Sequence, residues 1–273
     1  MPLHLEAITE HETNEIFTWI LQDALQNVND AFATQKDGKT YALASYPLYD
    51  TTTGSEIGKY VFTIYSNLEE QCNEILDLDI VLNNSTPTRL HFGRKLSQSS
   101  DSNEYYEVLA DEKEQHLIVE TVNRYTVPGE IEGKDIFIYA SAFPFQLTIF
   151  ETVEEYNKYC GFETPIQVGN TELKVHGLST TFACPGDMMK QNDDEDPWSF
   201  VVGEIKEYRG VTIAFGSIKR EVYLVTLHSA LGDLPTIVGK EIFDTSKIGV
   251  GKIIGMNTSV KVNFIKDKYP KAD

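Results

Sequence analysis

From residue 166 to residue 264 the chain is a succession of short β-forming runs broken by glycine, and no other feature constrains its fold as much. The runs are 166–168, 172–182, 198–208, 211–217, 221–229, 236–242 and 252–264, with breaks at Gly169-Asn170, Gly210, Gly232 and Gly251. Runs rich in Val, Ile, Thr, Tyr and Phe fit a pleated, half-buried surface, and glycine turns the chain between them. Five or more such strands in about a hundred residues predict a small closed or nearly closed barrel.

The preceding part reads differently. Thr9 and Glu12 have the spacing of a capping box, in which hydroxyl and carboxylate satisfy the first free amides of a helix. Ile16, Ile20, Leu21, Ala24, Leu25, Val28 and Phe32 then recur at three- and four-residue steps, which predicts one helix ending at Asp37-Gly38. Strands are expected at 39–49 and 58–66, a short helix capped by Asn67 at 68–76, and strands at 88–96, 104–110 and 115–125. The last two form a hairpin around Asp111-Glu112-Lys113-Glu114. Residues 135–150 are the most apolar segment, and Pro144 there predicts a bend or two strands. A second capping box, Thr152 with Glu155, opens a helix that Gly161 ends.

A chain of 273 residues is near the upper limit for one hydrophobic core. The sequence therefore predicts two domains: an α+β domain over 1–163, with two or three helices on an antiparallel sheet, and a mostly-β barrel over 164–273. The strand rhythm of the second part resembles an OB-type Greek-key barrel in outline, and the resemblance carries no residue roles.

Charge separates the same two parts. Residues 1–164 hold 10 Lys+Arg against 28 Asp+Glu, a balance of −18, and residues 165–273 hold 13 against 14, a balance of −1. An anionic field repels nucleic acid and anionic lipid and speeds encounter with basic partners. No stretch approaches the ~20 apolar residues that span a bilayer, and the first residues lack a basic segment followed by an apolar one. Cys72, Cys160 and Cys184 are odd in number and form no CxxC pair, as expected of buried thiols in a cytoplasmic protein.

Few constellations have the spacing that chemistry requires. Gly249-Val250-Gly251-Lys252 is not a phosphate loop: the position five before Gly251 is Ser246, and Ile253 follows the lysine. The run Asn192-Asp193-Asp194-Glu195-Asp196 lacks the alternation and central glycine of a calcium loop. Asp77 and Asp79 share a face only if extended, and the six histidines show no HxxxH or HxH spacing. Cys184, before Pro185-Gly186, reads as a strand-end thiol, and His228 and Ser229 point to opposite faces of one strand.

These observations predict no catalytic residue, cofactor or metal ligand. They predict a non-enzymatic protein whose acidic N-terminal part, with Glu69, Glu70 and Glu74 among its contacts, binds a basic protein partner. An alternative is a barrel that binds nucleic acid or another anion through C-terminal lysines including Lys252, Lys261 and Lys266, beside aromatic Tyr208, Phe215 and Tyr223. Scarce arginine and the attached polyanion argue against nucleic acid. A third alternative is an enzyme whose site is assembled only between the two domains.

Overall fold

Apolar and polar residues alternate along most of the chain, and they are laid out as strands. A computed structural model describes residues 5–9, 13–28, 30–36, 39–67, 72–97, 104–110, 115–122, 130–161, 166–168, 171–173, 179–186 and 197–265. The described residues are mostly β. The strands are β1 (Asp30–Lys36), β2 (Lys39–Tyr49), β3 (Glu56–Asn67), β4 (Cys72–Leu82), β5 (Thr88–Lys95), β6 (Glu104–Ala110), β7 (Gln115–Thr121), β8 (Asp135–Phe150), β9 (Ile166–Val168), β10 (Thr171–Leu173), β11 (Ala183–Pro185), β12 (Ser199–Phe215), β13 (Ile218–Ser229), β14 (Gly232–Gly239) and β15 (Ile253–Phe264). The helices α1 (Thr13–Trp19) and α2 (Val153–Tyr159) span seven residues each.

β1 to β4 form an antiparallel sheet in sequence order, and β9 pairs with β10. The remaining strands make one nine-stranded mixed sheet that closes on itself twice. One ring runs β5-β6-β7-β15-β8 and returns to β5. The other runs β12-β13-β14-β8-β15 and returns to β12. β8 and β15 belong to both rings and pair antiparallel from Phe150↔Ile253 to Ile138↔Phe264. The parallel contacts are β7 with β15 and β14 with β8. The ring interiors share one apolar cluster, including Phe92, Val119, Ile138, Val225, Leu227 and Val262. This sheet thus joins strands from both sides of residue 163.

The four-stranded sheet and the N-terminal helical turns lie against the outside of the second ring. Ile16, Ile20, Phe62 and Leu78 pack in one cluster with Val211, Ile213, Phe215, Val222 and Ile237. Close approach within that sheet demands a glycine at 58, where a Cβ would sit 2.4 Å from the Val81 carbonyl oxygen.

Several expectations from the sequence are corrected here. The long N-terminal helix stops early: α1 runs into a π-turn at Ile20–Ala24 and a 3₁₀ turn at Leu25–Asn27, and Phe32 lies in β1. Pairing of β1 with β2, from Asp30↔Ser45 to Lys36↔Lys39, outweighs the local helical period. Thr9 is buried and accepts a hydrogen bond from Arg220 Nε at 3.0 Å, while Glu12 is outside the described residues. The expected helix at 68–76 is contradicted from Cys72 onward, where β4 pairs with β3. The expectation at Pro144 resolves as one continuous strand with a bulge, Gln146 facing Asn257 and Pro144 facing Thr258. α2 does begin at its expected cap, with Thr152 Oγ1 accepting from the Glu155 N–H at 3.2 Å, and Gly161 adopts φ +77° beyond its end.

Candidate functional sites

β15 places a lysine where its strand neighbours are core. Val260 and Val262 point into the ring interiors, so Lys261, between them, points outward. The register sets Glu120 of β7 on one side of it and Ser141 of β8 on the other. β4 covers this row. Its Leu78, Ile80 and Leu82 join the apolar cluster of the four-stranded sheet, and the alternate positions Asp77 and Asp79 are also buried. Lys261, Asp79 and Glu120 are each 1% exposed.

The Lys261 ammonium is in direct contact with Asp79 Oδ1 and lies 3.4 Å from Glu120 Oε1. Ser259 Oγ donates to Glu120 Oε2 at 3.0 Å, which fixes that carboxylate. Asp79 Oδ2 and the Ser141 hydroxyl, both buried, have no hydrogen-bond partner among the described residues. Desolvation drives Asp77 up to about 6, opposed by the Lys261 charge and reinforced by Glu120. One cation among three carboxyl groups, removed from water, is costly unless it is closely matched.

The second candidate is a cleft of about 310 Å³ where the four-stranded sheet meets the outside of the second ring. Its walls include Glu56, Leu82, Glu207, Arg209, Leu224 and Thr226. Thr226 Oγ1 donates to Glu207 Oε1 at 3.0 Å. The β2–β3 turn anchors the wall: the Thr51 and Thr212 amides donate, respectively, to the Thr212 carbonyl at 2.8 Å and to Asp50 Oδ1 at 3.2 Å. Burial works against the ionised Asp50, but hydrogen bonds from Thr53, Thr52 and Thr212 outweigh it and hold the carboxyl below its ordinary value. The cleft joins apolar walls to two carboxylates and a guanidinium, a lining suited to binding a charged side chain.

The residues singled out from the sequence are scattered. Glu69, Glu70 and Lys266 lie outside the described residues. Glu74 is in β4 opposite Tyr65. Lys252 Nζ donates to the Glu151 carbonyl at 3.3 Å, and Lys261 does not reach water. Lys240 pairs with Glu221 at 3.0 Å and lies 4.7 Å above the Tyr223 ring, and Lys247 pairs with Glu155 at 2.7 Å. Tyr208 and Tyr223 meet edge to face at 5.7 Å, whereas Phe215 is buried against Trp19 and Tyr60. Cys184 packs with Phe150, Tyr156 and Phe200, a setting in which a thiol is inert. The acidic run at 192–196 lies outside the described residues. Among the described residues, no three His, Cys, Asp or Glu side chains are arranged to hold a metal ion.

From sequence, Lys261 is one of several C-terminal lysines of an anion-binding face, and Asp77 and Asp79 share a face only if extended. The missed signal was alternation: Asp77-Leu78-Asp79-Ile80 and Val260-Lys261-Val262 each place charge on one face of a strand with core on the other. No protein-family model, no curated protein and no solved structure matches the chain.

Proposed function

We propose that this is a non-catalytic binding protein that docks a basic protein partner on its acidic N-terminal part, with the rings as a rigid scaffold. The observation that carries this reading is the charge division of −18 against −1. Asp50, Asp77, Asp79, Glu104 and Glu120 are buried, so at most 23 of the 28 acids in residues 1–164 are left to face solvent. They still outnumber the 10 basic residues of that part by more than two to one. The cleft at the junction, with Glu56 and Glu207 on its walls, is the place for a lysine or arginine of the partner.

The first ring has the strand order of an OB-type barrel, with three antiparallel strands in succession and the third, β7, parallel to the fifth, β15; the second ring has the same order around its circumference, but its parallel strand β8 comes first in the chain. In this reading two such barrels are fused through β8 and β15, and the helical turns with the four-stranded sheet form the α+β layer beside them. An OB barrel binds oligonucleotides on its second and third strands. Here the outer faces of β13 and β14 carry Val222 and Ile237, which lie under the N-terminal layer. That cover disfavours nucleic acid on the second ring. Cys160 is a half-buried thiol outside any disulfide, in keeping with a cytoplasmic protein.

The test is titration of a fluorescent lysine- and arginine-rich peptide, and separately of a single-stranded oligonucleotide, at low and high salt. Binding of the peptide is expected to weaken with salt and to fall about tenfold or more when Glu56 and Glu207 are both changed to lysine. Glu154→Lys, on α2 away from the cleft, is expected to have a small effect. Equal losses from Glu154→Lys and from the cleft pair would remove the cleft. Oligonucleotide binding without peptide binding would replace the reading with the anion-binding one.

A further inference from the structure

We propose that Lys261 and Asp79 become joined by an autocatalytic intramolecular isopeptide bond, with Glu120 carrying the proton. Three independently placed strands bring the reactants together. β15 supplies the amine, β4 the carboxyl that contacts it, and β7 the second carboxylate at 3.4 Å from the nitrogen. Register fixes Glu120 beside Lys261, and the Ser259 hydroxyl holds its other oxygen. All three side chains are removed from water.

The balance closes without a co-reactant. In a dry site the charged pair is disfavoured, and a proton moves from Nζ to Asp79 Oδ1, leaving an amine and a carboxylic acid. The nitrogen lone pair attacks Cγ and forms the C–N bond, while the carbonyl π pair moves onto Oδ2. Glu120 takes a proton from the now cationic nitrogen and delivers it to the departing hydroxyl. The C–O bond breaks, the carbonyl re-forms at Oδ2, and one water leaves with Glu120 restored to its starting state. An ammonium and a carboxylate have become an amide and a water, with charge and atoms conserved.

Held contact supplies the effective concentration that intermolecular amide formation lacks, and exclusion of water opposes the reverse hydrolysis. Asp79 Oδ2 is the second observation. A buried carboxylate oxygen without a hydrogen-bond partner is expensive, whereas the same oxygen as a neutral amide carbonyl costs much less. The raised Asp77 carboxyl beside it reflects the same preference of this site for neutral groups.

Mass spectrometry of the denatured full-length chain tests the bond. The expected result is a mass lower than the sequence mass by one water. After trypsin, a branched peptide should join the segment carrying Asp79 to the one carrying Lys261. The bond spans 182 residues, so the denatured chain should also migrate faster in a denaturing gel than the unlinked Lys261→Arg or Asp79→Ala chain. Those two variants should have the full sequence mass, and Glu120→Gln should stay wholly or largely unlinked while keeping the β circular dichroism spectrum. A folded wild-type chain at the full sequence mass overturns the proposal, as does a one-water deficit that persists in Asp79→Ala. Complete linkage in Glu120→Gln removes Glu120 from it. The wild-type mass and the branched peptide decide the matter even where a variant fails to fold.

Discussion

Replacing Asp77 by asparagine should make the protein more stable at neutral pH and leave it unchanged in acid. The carboxyl is 4% exposed, and its Oδ1 accepts the Leu78 N–H at 2.9 Å, a bond that an amide oxygen keeps. Burial raises it from 3.8 to about 6. Between those values the folded chain holds a proton that the unfolded chain has released, so stability falls as pH rises through this window. Below about 4 both states are protonated and the penalty is absent, and above about 6 it is fully present. Two pKa units correspond to roughly 3 kcal/mol. Asparagine does not titrate. The difference between variant and wild type should therefore rise from near zero at pH 4 to roughly 3 kcal/mol in favour of the variant at pH 8. In melting temperature this is roughly 2–4 °C per kcal/mol. Urea titrations of both chains from pH 4 to pH 8 measure it, and carboxyls remote from Asp77 cancel in the difference. In a linked chain the lysine charge that lowers Asp77 is gone, which moves the step to higher pH and enlarges it. A difference that stays flat across the range, or a variant less stable than wild type at pH 8, would refute the reasoning.

Two other substitutions probe the frame around the sites. Gly58→Ala forces a methyl against the Val81 carbonyl oxygen and should cost about 2 kcal/mol or more by splaying β3 from β4, read by urea denaturation. Thr152→Ala removes the acceptor for the Glu155 amide and should cost about 1 kcal/mol, with a small loss of helical signal in circular dichroism.

What could be read from the sequence was local. The Thr152–Glu155 cap, the hairpin of β6 and β7, and the extended runs that became β2, β8 and β15 are each specified by residues within a few positions of one another. The failures are of the opposite kind. Phe32 fits the helical stripe that begins at Ile16, and only pairing with β2 makes it a strand residue. The run 72–76 fits the end of the short helix expected at 68–76, and only pairing with β3 across the sheet makes it a strand. The twelve-residue pairing of β8 with β15, strands on either side of residue 163, has no local signature in either run. Lys261 looked like one more lysine in a basic C-terminal stretch because its carboxylate partners are 141 and 182 residues away. Two charges at alternate positions in an otherwise apolar strand were the available clue, and a buried partner was the physical consequence to draw from it.

Sharing β8 and β15 has a consequence for how the chain is made. β15 closes both rings, and it is synthesised 131 residues after β7, the strand it completes in the first ring. Until it emerges, β5 to β8 have an open edge and exposed apolar faces with nothing to pair against. Neither ring can be completed on the ribosome by its own contiguous stretch of chain. Such long-range closure slows folding and lengthens the time during which unpaired strands can meet those of another molecule. The same economy that builds two barrels from eight strands leaves the nascent protein dependent on its last described strand, and a truncation within β15 would open both rings at once.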